Sequence, residues 1–222
     1  VAEGPLAGVS LAELMADCGR DLVGTAYDGG DFPLLIKLID ANDKLSVQVH
    51  PDDELAVAFD RGRRGKTECW YILEDGGELH QGTRAGVDAA AFERALADGS
   101  VPEQLNRFAT HAGDFFYLPA RTVHALGAGC LLYEVQQSSD CTFRVYDWGR
   151  VGLDGKPRAT HVEESMRTID FASDRHGPVA AAAEPHPRGG SVRVLVDGRY
   201  FRVEERRARR TAGGGDACSV VI

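Results

Sequence analysis

The clearest pattern in the chain is the strict alternation of apolar and polar residues from Leu45 to His50. Successive side chains of a β-strand point to opposite faces, so the alternation predicts a strand with Ser46, Gln48 and His50 on one face. Ser, Gln and His side chains form hydrogen bonds or bind metal ions, whereas a typical solvated face carries long charged side chains. An ordinary amphipathic edge strand would show the same alternation, so this stretch alone leaves both interpretations open.

Short segments typical of strands recur along the chain and are separated by Gly, Pro and Asp turns. They cover residues 34–40, 65–73, 115–119, 122–126, 130–137 and 141–146. Short strands at such close spacing predict a mainly β fold, either an antiparallel β-barrel or a jelly roll. Only a few short helices are expected, including one after Ser10 and a helical insert near residues 87–107.

The composition of the chain changes towards its end. Residues 173–190 are rich in Pro and Ala, which is typical of a linker. We therefore predict a first domain over residues 1–172, this linker, and the start of a second β unit over residues 191–222. Because the chain starts at Val1 and stops inside an apolar run, we expect both ends of the natural protein to be incomplete.

Composition and charge exclude several classes of protein. Of the 222 residues, 43% are hydrophobic and 27% are charged, and the net charge is −9. An acidic surface argues against non-specific binding to nucleic acid and to anionic membranes. No apolar run approaches the length of a membrane span, and no signal peptide is visible. The five cysteines are odd in number and include no C-x-x-C pair, so we predict a reducing, cytoplasmic location without a disulfide framework.

Possible metal ligands occur on several of the predicted strands. They are Gln48, His50, Glu68 and His124. Nitrogen and oxygen donors without thiolates suit zinc, and also manganese or iron. A lone buried His is more often a hydrogen-bonded core residue, and a lone Glu on a strand is more often solvated, so the set alone is a weak pattern. Lys37 stands in the middle of an apolar strand, where a charge indicates either a sheet edge or a functional site.

Several motifs of the chain occur in the same order and with similar gaps in a known enzyme family. They are residues 45–52, Gly65-Lys66-Thr67-Glu68, Pro119-Ala120 followed by His124-Ala125, and Glu134-Val135-Gln136-Gln137 followed by Arg144-Val145-Tyr146-Asp147. Together they resemble type I mannose-6-phosphate isomerase, and most closely the short bacterial form of that family. The resemblance covers residues 33–165.

The resemblance implies a zinc-dependent aldose–ketose isomerase that is built on cupin β-barrels and interconverts mannose 6-phosphate and fructose 6-phosphate. It implies one zinc ion per chain, with the ligands Gln48, His50, Glu68 and His124. It implies Arg144 as a catalytic residue, and it places Lys37, Ser46 and Lys66 near the sugar phosphate, the expected small-molecule partner, or near its reacting end. Glu134 and Asp140 match polar positions of the family pocket, where we expect Asp140 to bind the substrate. Lys66 and Glu134 are further catalytic candidates because their side chains can move a proton.

Two features of the chain depart from the family pattern. Larger members carry an inserted helical domain where this chain has only the short insert near residues 87–107. The second β unit also stops after its first strands, so its contribution to a pocket is not visible in the sequence.

The identity of the base that moves the proton stays open at this point. An Arg side chain keeps its proton at ordinary pH, so Arg144 can stabilise charge but is a poor base. Lys66, Glu134 and a metal-bound water are the alternatives.

Two other functions compete with the isomerase interpretation. A cupin-like sugar-binding or regulatory module would keep the metal ion without catalysis, and Arg144 and Lys66 argue against it. A metal-dependent oxygenase would use a histidine-rich ligand set for iron, and the Gln48 ligand argues against that.

Overall fold

In the computed structural model, strands form more of the regular structure than helices do. Residues 1–24, 29–151, 155–174, 176–187, 189–208 and 217–221 are described. The helices of this part of the chain are α1 (Leu11–Val23), α2 (Asp53–Ala58), α3 (Ala89–Asp98) and α4 (Val162–Thr168). None of them is long and apolar enough to cross a membrane. The strands are β1 (Leu34–Ala41), β2 (Val47–Val49), β3 (Glu68–Ile72), β4 (Glu78–Thr83), β5 (Leu105–Ala109), β6 (Phe115–Leu118), β7 (His124–Leu126), β8 (Cys130–Gln137), β9 (Phe143–Tyr146), β10 (Glu184–Pro185), β11 (Ser191–Asp197), β12 (Arg202–Ala208) and β13 (Ala217–Val221).

Two antiparallel sheets form the centre of the fold. One has four strands in the order β1-β8-β3-β6, and the other has five strands in the order β5-β4-β7-β2-β9. Trp70 and Phe116 of the four-stranded sheet share one buried cluster with Leu79 and Leu126 of the five-stranded sheet, so an apolar core lies between the sheets. The mainly β, jelly-roll prediction is confirmed. The alternative of a closed barrel is not, because no strand among the described residues pairs with both sheets.

Helices cover the outer face of the five-stranded sheet. Phe92 of α3 and Ile169, which follows α4, belong to the same buried cluster as Val47 and Val49 of β2. These two valines alternate with Gln48 along the strand. The apolar half of the alternating pattern therefore packs under the helices, while the polar half faces the space between the sheets.

The helical insert predicted near residues 87–107 is helical in its first part only. The helix α3 begins where the Asp88 side chain accepts a hydrogen bond from the backbone nitrogen of Ala91 at 2.7 Å, and it ends at Gly99, whose φ of 82° suits glycine. A 3₁₀ turn over Val101–Gln104 follows, and β5 then pairs with β4. The prediction of helix at the end of the insert is wrong, because pairing with a neighbouring strand outweighs weak local preference.

A third sheet, in the order β10-β11-β12-β13, packs on the outer face of the four-stranded sheet. Leu195, Phe201 and Val203 of this region share a buried cluster with Tyr71 and Phe115 of the four-stranded sheet. The third sheet is thus packed directly on the four-stranded sheet.

The predicted linker over residues 173–190 contains a short strand. It contains β10, which pairs with β11, so the third sheet begins at residue 184 and not at residue 191. Residues 209–216 and 222 of the predicted second unit lie outside the described residues.

The packing of the third sheet predicts a large cost for truncating Leu195, which is 3% exposed. Replacing a buried leucine with alanine removes apolar contacts and leaves a cavity, so Leu195→Ala should lower the free energy of unfolding by about 2–5 kcal/mol. The neighbouring Val194 is 39% exposed, so Val194→Ala should cost less than about 0.5 kcal/mol. Urea denaturation followed by circular dichroism measures both values, and equal costs would contradict this packing.

Candidate active site

A cavity of about 220 Å³ lies between the four-stranded and five-stranded sheets. Seven of the ten predicted site residues line this cavity, namely Lys37, Ser46, Gln48, Lys66, Glu68, His124 and Glu134. An eighth, His50, contacts two of these residues, Lys66 and Glu68. The site residues predicted from separate segments are therefore mostly brought together.

Strand pairing explains how residues that are distant in sequence reach one cavity. Directly opposite residues of paired strands project their side chains from the same face of the sheet. Gln48 of β2 lies opposite His124 of β7 in the five-stranded sheet. In the four-stranded sheet, Glu134 of β8 lies opposite Lys37 of β1 on one side and opposite Trp70 of β3 on the other.

The three residues His50, Glu68 and His124 form the candidate metal centre, and all three are buried. One possible ligand atom from each lies within 4.8 Å of the others. Glu68 Oε1 is 3.1 Å from His124 Nε2, and Glu68 Oε2 is 3.5 Å from His50 Nε2. Two imidazole nitrogens and a carboxylate, which are donor types of zinc sites, thus converge on one point.

Backbone carbonyl groups hold both imidazole rings with Nε2 towards Glu68. His50 Nδ1 lies 3.1 Å from the carbonyl oxygen of Cys141, and His124 Nδ1 lies 2.8 Å from that of Thr122. A carbonyl oxygen only accepts hydrogen bonds, so in the neutral rings Nδ1 carries the proton and Nε2 keeps a lone pair. This is the tautomer in which Nε2 can bind a metal ion.

The electrostatics of the cluster favour the protonation states that bind metal ions. Burial lowers the pKa of His50 well below its ordinary value, because a charged imidazole would lose its hydration, although Glu68 opposes this shift. Burial alone would raise the pKa of Glu68, but the charge of Lys66, together with His50 and His124, holds it well below its usual range. A neutral imidazole and an ionised carboxylate result, and these are the forms that bind metal ions.

The ammonium group of Lys66 lies inside this cluster. Lys66 Nζ is 2.8 Å from Glu68 Oε2 and 3.0 Å from His50 Nε2. Its charge compensates the buried carboxylate, although Glu68 Oε2 has no partner in hydrogen-bond geometry among the described residues. The lone pair of His50 Nε2 cannot accept a hydrogen bond from Lys66 and bind a metal ion at once. A metal ion held here therefore requires Lys66 to release His50.

The side chain of Ser46 orients the fourth predicted ligand. Gln48 Nε2 donates a hydrogen bond to Ser46 Oγ at 3.1 Å. The amide oxygen of Gln48 is then the atom left for a cation, as a metal ligand must be an acceptor. Of the predicted strand over Leu45–His50, only Val47–Val49 forms β2, and Ser46 and Gln48 both line the cavity.

A hydrogen-bond network holds Lys37 in the same cavity. Lys37 Nζ donates to Glu134 Oε1 at 2.7 Å and to Gln136 Oε1 at 2.5 Å. Trp70 Nε1 donates to the second oxygen of Glu134 at 3.0 Å, and the indole ring lies edge-on to the ring of His124. Two of the three N–H groups of the ammonium thus have partners, which leaves one for a ligand.

Gln136 and Trp70 are site residues that were not predicted from the sequence. Gln136 is two residues from Glu134 along β8, so both side chains lie on the inner face of the strand, and this spacing could have identified Gln136 as a site residue. A tryptophan in a strand is most often ordinary core, but a buried indole N–H needs an acceptor, which here is Glu134.

Two predicted site residues, Arg144 and Asp140, are not brought to the cavity. Arg144 lies opposite Gln48 on β9, but its Nη1 donates to the carbonyl oxygen of Ala159 at 2.7 Å. The Nε atom of Arg144 is buried and has no hydrogen-bond partner within the described ranges. Asp140 is exposed in the loop before β9. Neither residue lines the cavity, so their proposed roles remain predictions.

Comparison with known proteins gives a consistent result. A family model described as phosphomannose isomerase type I, catalytic domain, matches residues 1–72. A probable mannose-6-phosphate isomerase of Bacillus subtilis, GmuF, is 45% identical over 207 residues, which are 91% of this chain and 64% of the relative. The mannose-6-phosphate isomerase of Streptococcus mutans is 40% identical over 205 residues, which are 91% of this chain and 63% of the relative. The chain thus spans slightly less than two thirds of the length of these relatives.

Solved structures show the same likeness. The crystal structure of the mannose 6-phosphate isomerase from Bacillus subtilis matches with a TM-score of 0.83 and 34% identity, covering 94% of this chain and 66% of that one. A mutant phosphomannose isomerase from Salmonella typhimurium, only 16% identical, shares the fold with a TM-score of 0.65 over 90% of this chain and 70% of its own. The cupin-like fold that the resemblance implies is confirmed. Sequence and structure together place the chain in the type I phosphomannose isomerase family.

Proposed function

We propose that the protein interconverts mannose 6-phosphate and fructose 6-phosphate in a zinc-dependent reaction. The observation that carries the proposal is the buried cluster of His50, Glu68 and His124 beside a cavity that also contains the ammonium of Lys37. The matched relatives are named mannose-6-phosphate isomerases. A metal-binding cluster next to a cation suits a substrate that carries both a reacting carbonyl group and a phosphate.

The reaction moves a proton between C1 and C2 of the sugar through an enediol. Zinc, when bound, supplies positive charge that polarises the reacting oxygen atoms and stabilises the negative charge that develops on them. One ion per chain would be held by Gln48, His50, Glu68 and His124. Their nitrogen and oxygen donors fit zinc, and the hydrogen bonds to Nδ1 of both histidines leave the required lone pairs free.

We assign the phosphate of the substrate to Lys37. Lys37 Nζ bonds Glu134, which lies opposite Trp70, and Gln136, which lies opposite Glu68. Lys37 and Glu68 line the same cavity. A hexose 6-phosphate whose phosphate binds Lys37 would therefore have its carbon chain in the cavity that contains the candidate metal centre.

Lys66 is then the candidate for moving the proton. It lies beside Glu68, and once it releases His50 and gives up one ammonium proton to solvent, its neutral amine can accept the proton from one reacting carbon and return it to the other. Both oxygens of Glu134 already accept hydrogen bonds, from Lys37 and from Trp70, so we propose that Glu134 positions Lys37.

The other predicted site residues have smaller proposed parts. Ser46 lines the cavity and orients Gln48. From this position the Ser46 hydroxyl would also contact the substrate. Arg144 would stabilise developing charge and Asp140 would contact the sugar only after their side chains turn towards the cavity.

We also propose a cytoplasmic location. Cys18, Cys69, Cys130 and Cys141 are free thiols, which suits a reducing compartment.

Removal of the metal ion tests the proposed activity. Treatment of the purified protein with a chelator should lower the rate of conversion of mannose 6-phosphate to fructose 6-phosphate by about a hundredfold or more, because the charge that stabilises the transition state is lost. Added zinc should restore the rate. Full activity in protein that elemental analysis shows to be free of metal would rule out this mechanism.

Replacing a single ligand tests the metal centre independently of activity. His124→Ala should lose most of the bound zinc, because one of the converging donors is removed. His111→Ala is the matched control, since that side chain is 70% exposed and pairs with Asp114, away from the candidate metal centre. Elemental analysis after dialysis measures the zinc content per chain. Equal zinc content in the two variants would show that His124 is not a ligand.

A further inference from the structure

A second cavity, of about 410 Å³, lies on the outer face of the five-stranded sheet, and we call it the outer cavity. His80 of β4 and Arg107 of β5 line it, and they are cross-strand partners that share this face. Gln81, the next residue of β4, is instead the cross-strand partner of His124 on the opposite face. The sheet therefore separates the outer cavity from the metal centre. The volume of the outer cavity is typical of a pocket for a small molecule.

The outer cavity carries an excess of positive charge on an otherwise acidic chain. Its charged lining residues are Lys44, Arg84 and Arg107, opposed by Glu78 and Glu103, whereas the net charge of the chain is −9. Arg107 Nε donates to Glu78 Oε2 at 2.9 Å, so these two charges compensate each other. The guanidinium of Arg84 donates a long hydrogen bond, of 3.4 Å, to the backbone carbonyl oxygen of Glu103. Within the described ranges, neither Lys44 nor Arg84 forms an ion pair with a carboxylate.

The imidazole of His80 is a second, independent indication of a ligand. The residue is 7% exposed, and its Nδ1 has no hydrogen-bond partner among the described residues. Native proteins rarely leave a buried polar group unsatisfied, and such groups often belong to binding sites. Burial lowers the pKa of His80, and the charges of Arg107 and Lys44 lower it further against the effect of Glu78, so the ring is neutral at pH 7 and able to donate one hydrogen bond.

Trp148 provides an oriented aromatic surface in the same cavity. Its Nε1 donates to the carbonyl oxygen of Leu45 at 2.7 Å, which fixes the indole plane. Lys44 Nζ lies 4.3 Å from the centroid of the indole ring, and the rings of His80 and Trp148 are 5.9 Å apart. A flat apolar ring beside an ammonium group that has no carboxylate partner among the described residues suits a ligand with an anionic group and a carbon skeleton.

We propose that the outer cavity binds a small organic phosphate. Its phosphate group lies between Lys44 and Arg84, whose side chains donate charge-assisted hydrogen bonds to phosphate oxygens. Its carbon skeleton lies against the indole ring of Trp148. Glu78 and Glu103 at the border limit the total negative charge that fits, which favours a compact monoester. This site does not depend on the isomerase activity or on the metal centre.

Fluorine NMR tests the proposal because the chain has two tryptophans, and each reports on a different cavity. Trp70 lines the cavity between the sheets, and Trp148 lines the outer cavity. Protein labelled with 5-fluorotryptophan is titrated with inorganic phosphate and with glucitol 6-phosphate, which has no carbonyl group to isomerise. Trp148→Phe assigns the two resonances. We expect a saturable shift of the Trp148 resonance with both phosphates, tighter with glucitol 6-phosphate, and none with unphosphorylated glucitol.

Charge-removing variants locate the site. Lys44→Ala and Arg84→Ala should each weaken binding at Trp148 by about tenfold. Arg94→Ala removes the same charge from the exposed face of α3, outside the cavity, and should leave the affinity unchanged. An unshifted Trp70 resonance in each free variant verifies that it is folded.

Three results would overturn the proposal. One is the absence of any saturable shift at Trp148, and another is a Trp148 shift that persists with the same affinity in both Lys44→Ala and Arg84→Ala. The third is a shift of the Trp70 resonance alone, which would report binding between the sheets and leave the proposed isomerase function intact.

Discussion

The carboxylate of Glu68 is buried between two sheets, with 1% of the residue exposed. A buried carboxylate loses its hydration, which costs several kcal/mol unless positive charge and hydrogen-bond donors replace the water. Lys66, His50 and His124 surround it at distances of 2.8 to 3.5 Å. Glu68 belongs to the four-stranded sheet and His124 to the five-stranded sheet, so compensation of this one charge depends on how the two sheets face each other. His50, Glu68 and His124 also provide nitrogen and oxygen donors that suit a zinc ion. The need to stabilise the buried carboxylate and the proposed metal binding therefore depend on the same residues.

The outer layers of the fold account for the position of this site. Val47 and Val49 pack under the helices while Gln48, between them, faces the cavity. Tyr71 packs under the third sheet while its neighbour Trp70 faces the cavity. Each central strand therefore uses one face for an apolar layer and the other for the site, and a shift of one residue in register would exchange the two. The outer cavity lies where the layer over the five-stranded sheet leaves part of that sheet's outer face open to small molecules.

The local alternation of residues was sufficient to predict a strand around Gln48, because the period of a strand is visible in neighbouring residues, although β2 ends at Val49, one residue before His50. Which residues join them from other strands could be predicted only through the resemblance to a family, since neither spacing nor composition gives the register between distant strands. The Lys37 network shows this limit, because its hydrogen bonds join residues that are 64 to 99 positions apart. The strand at Leu105–Ala109 was missed for the same reason, as its pairing with β4 is not a local signal. Lys37 was predicted to lie either at a sheet edge or in a site, and both are true, because β1 is the edge strand of its sheet and Lys37 lines the cavity.

The most direct test of the metal centre is anomalous X-ray diffraction at the zinc absorption edge, from crystals grown with zinc. We predict one strong peak per chain, about 2.0–2.2 Å from His50 Nε2, His124 Nε2 and the carboxylate of Glu68. The amide oxygen of Gln48 should complete the ligand set, and Lys66 Nζ should have moved away from His50. A zinc-containing crystal with no peak between the sheets, and with Lys66 still bonded to His50, would contradict the account.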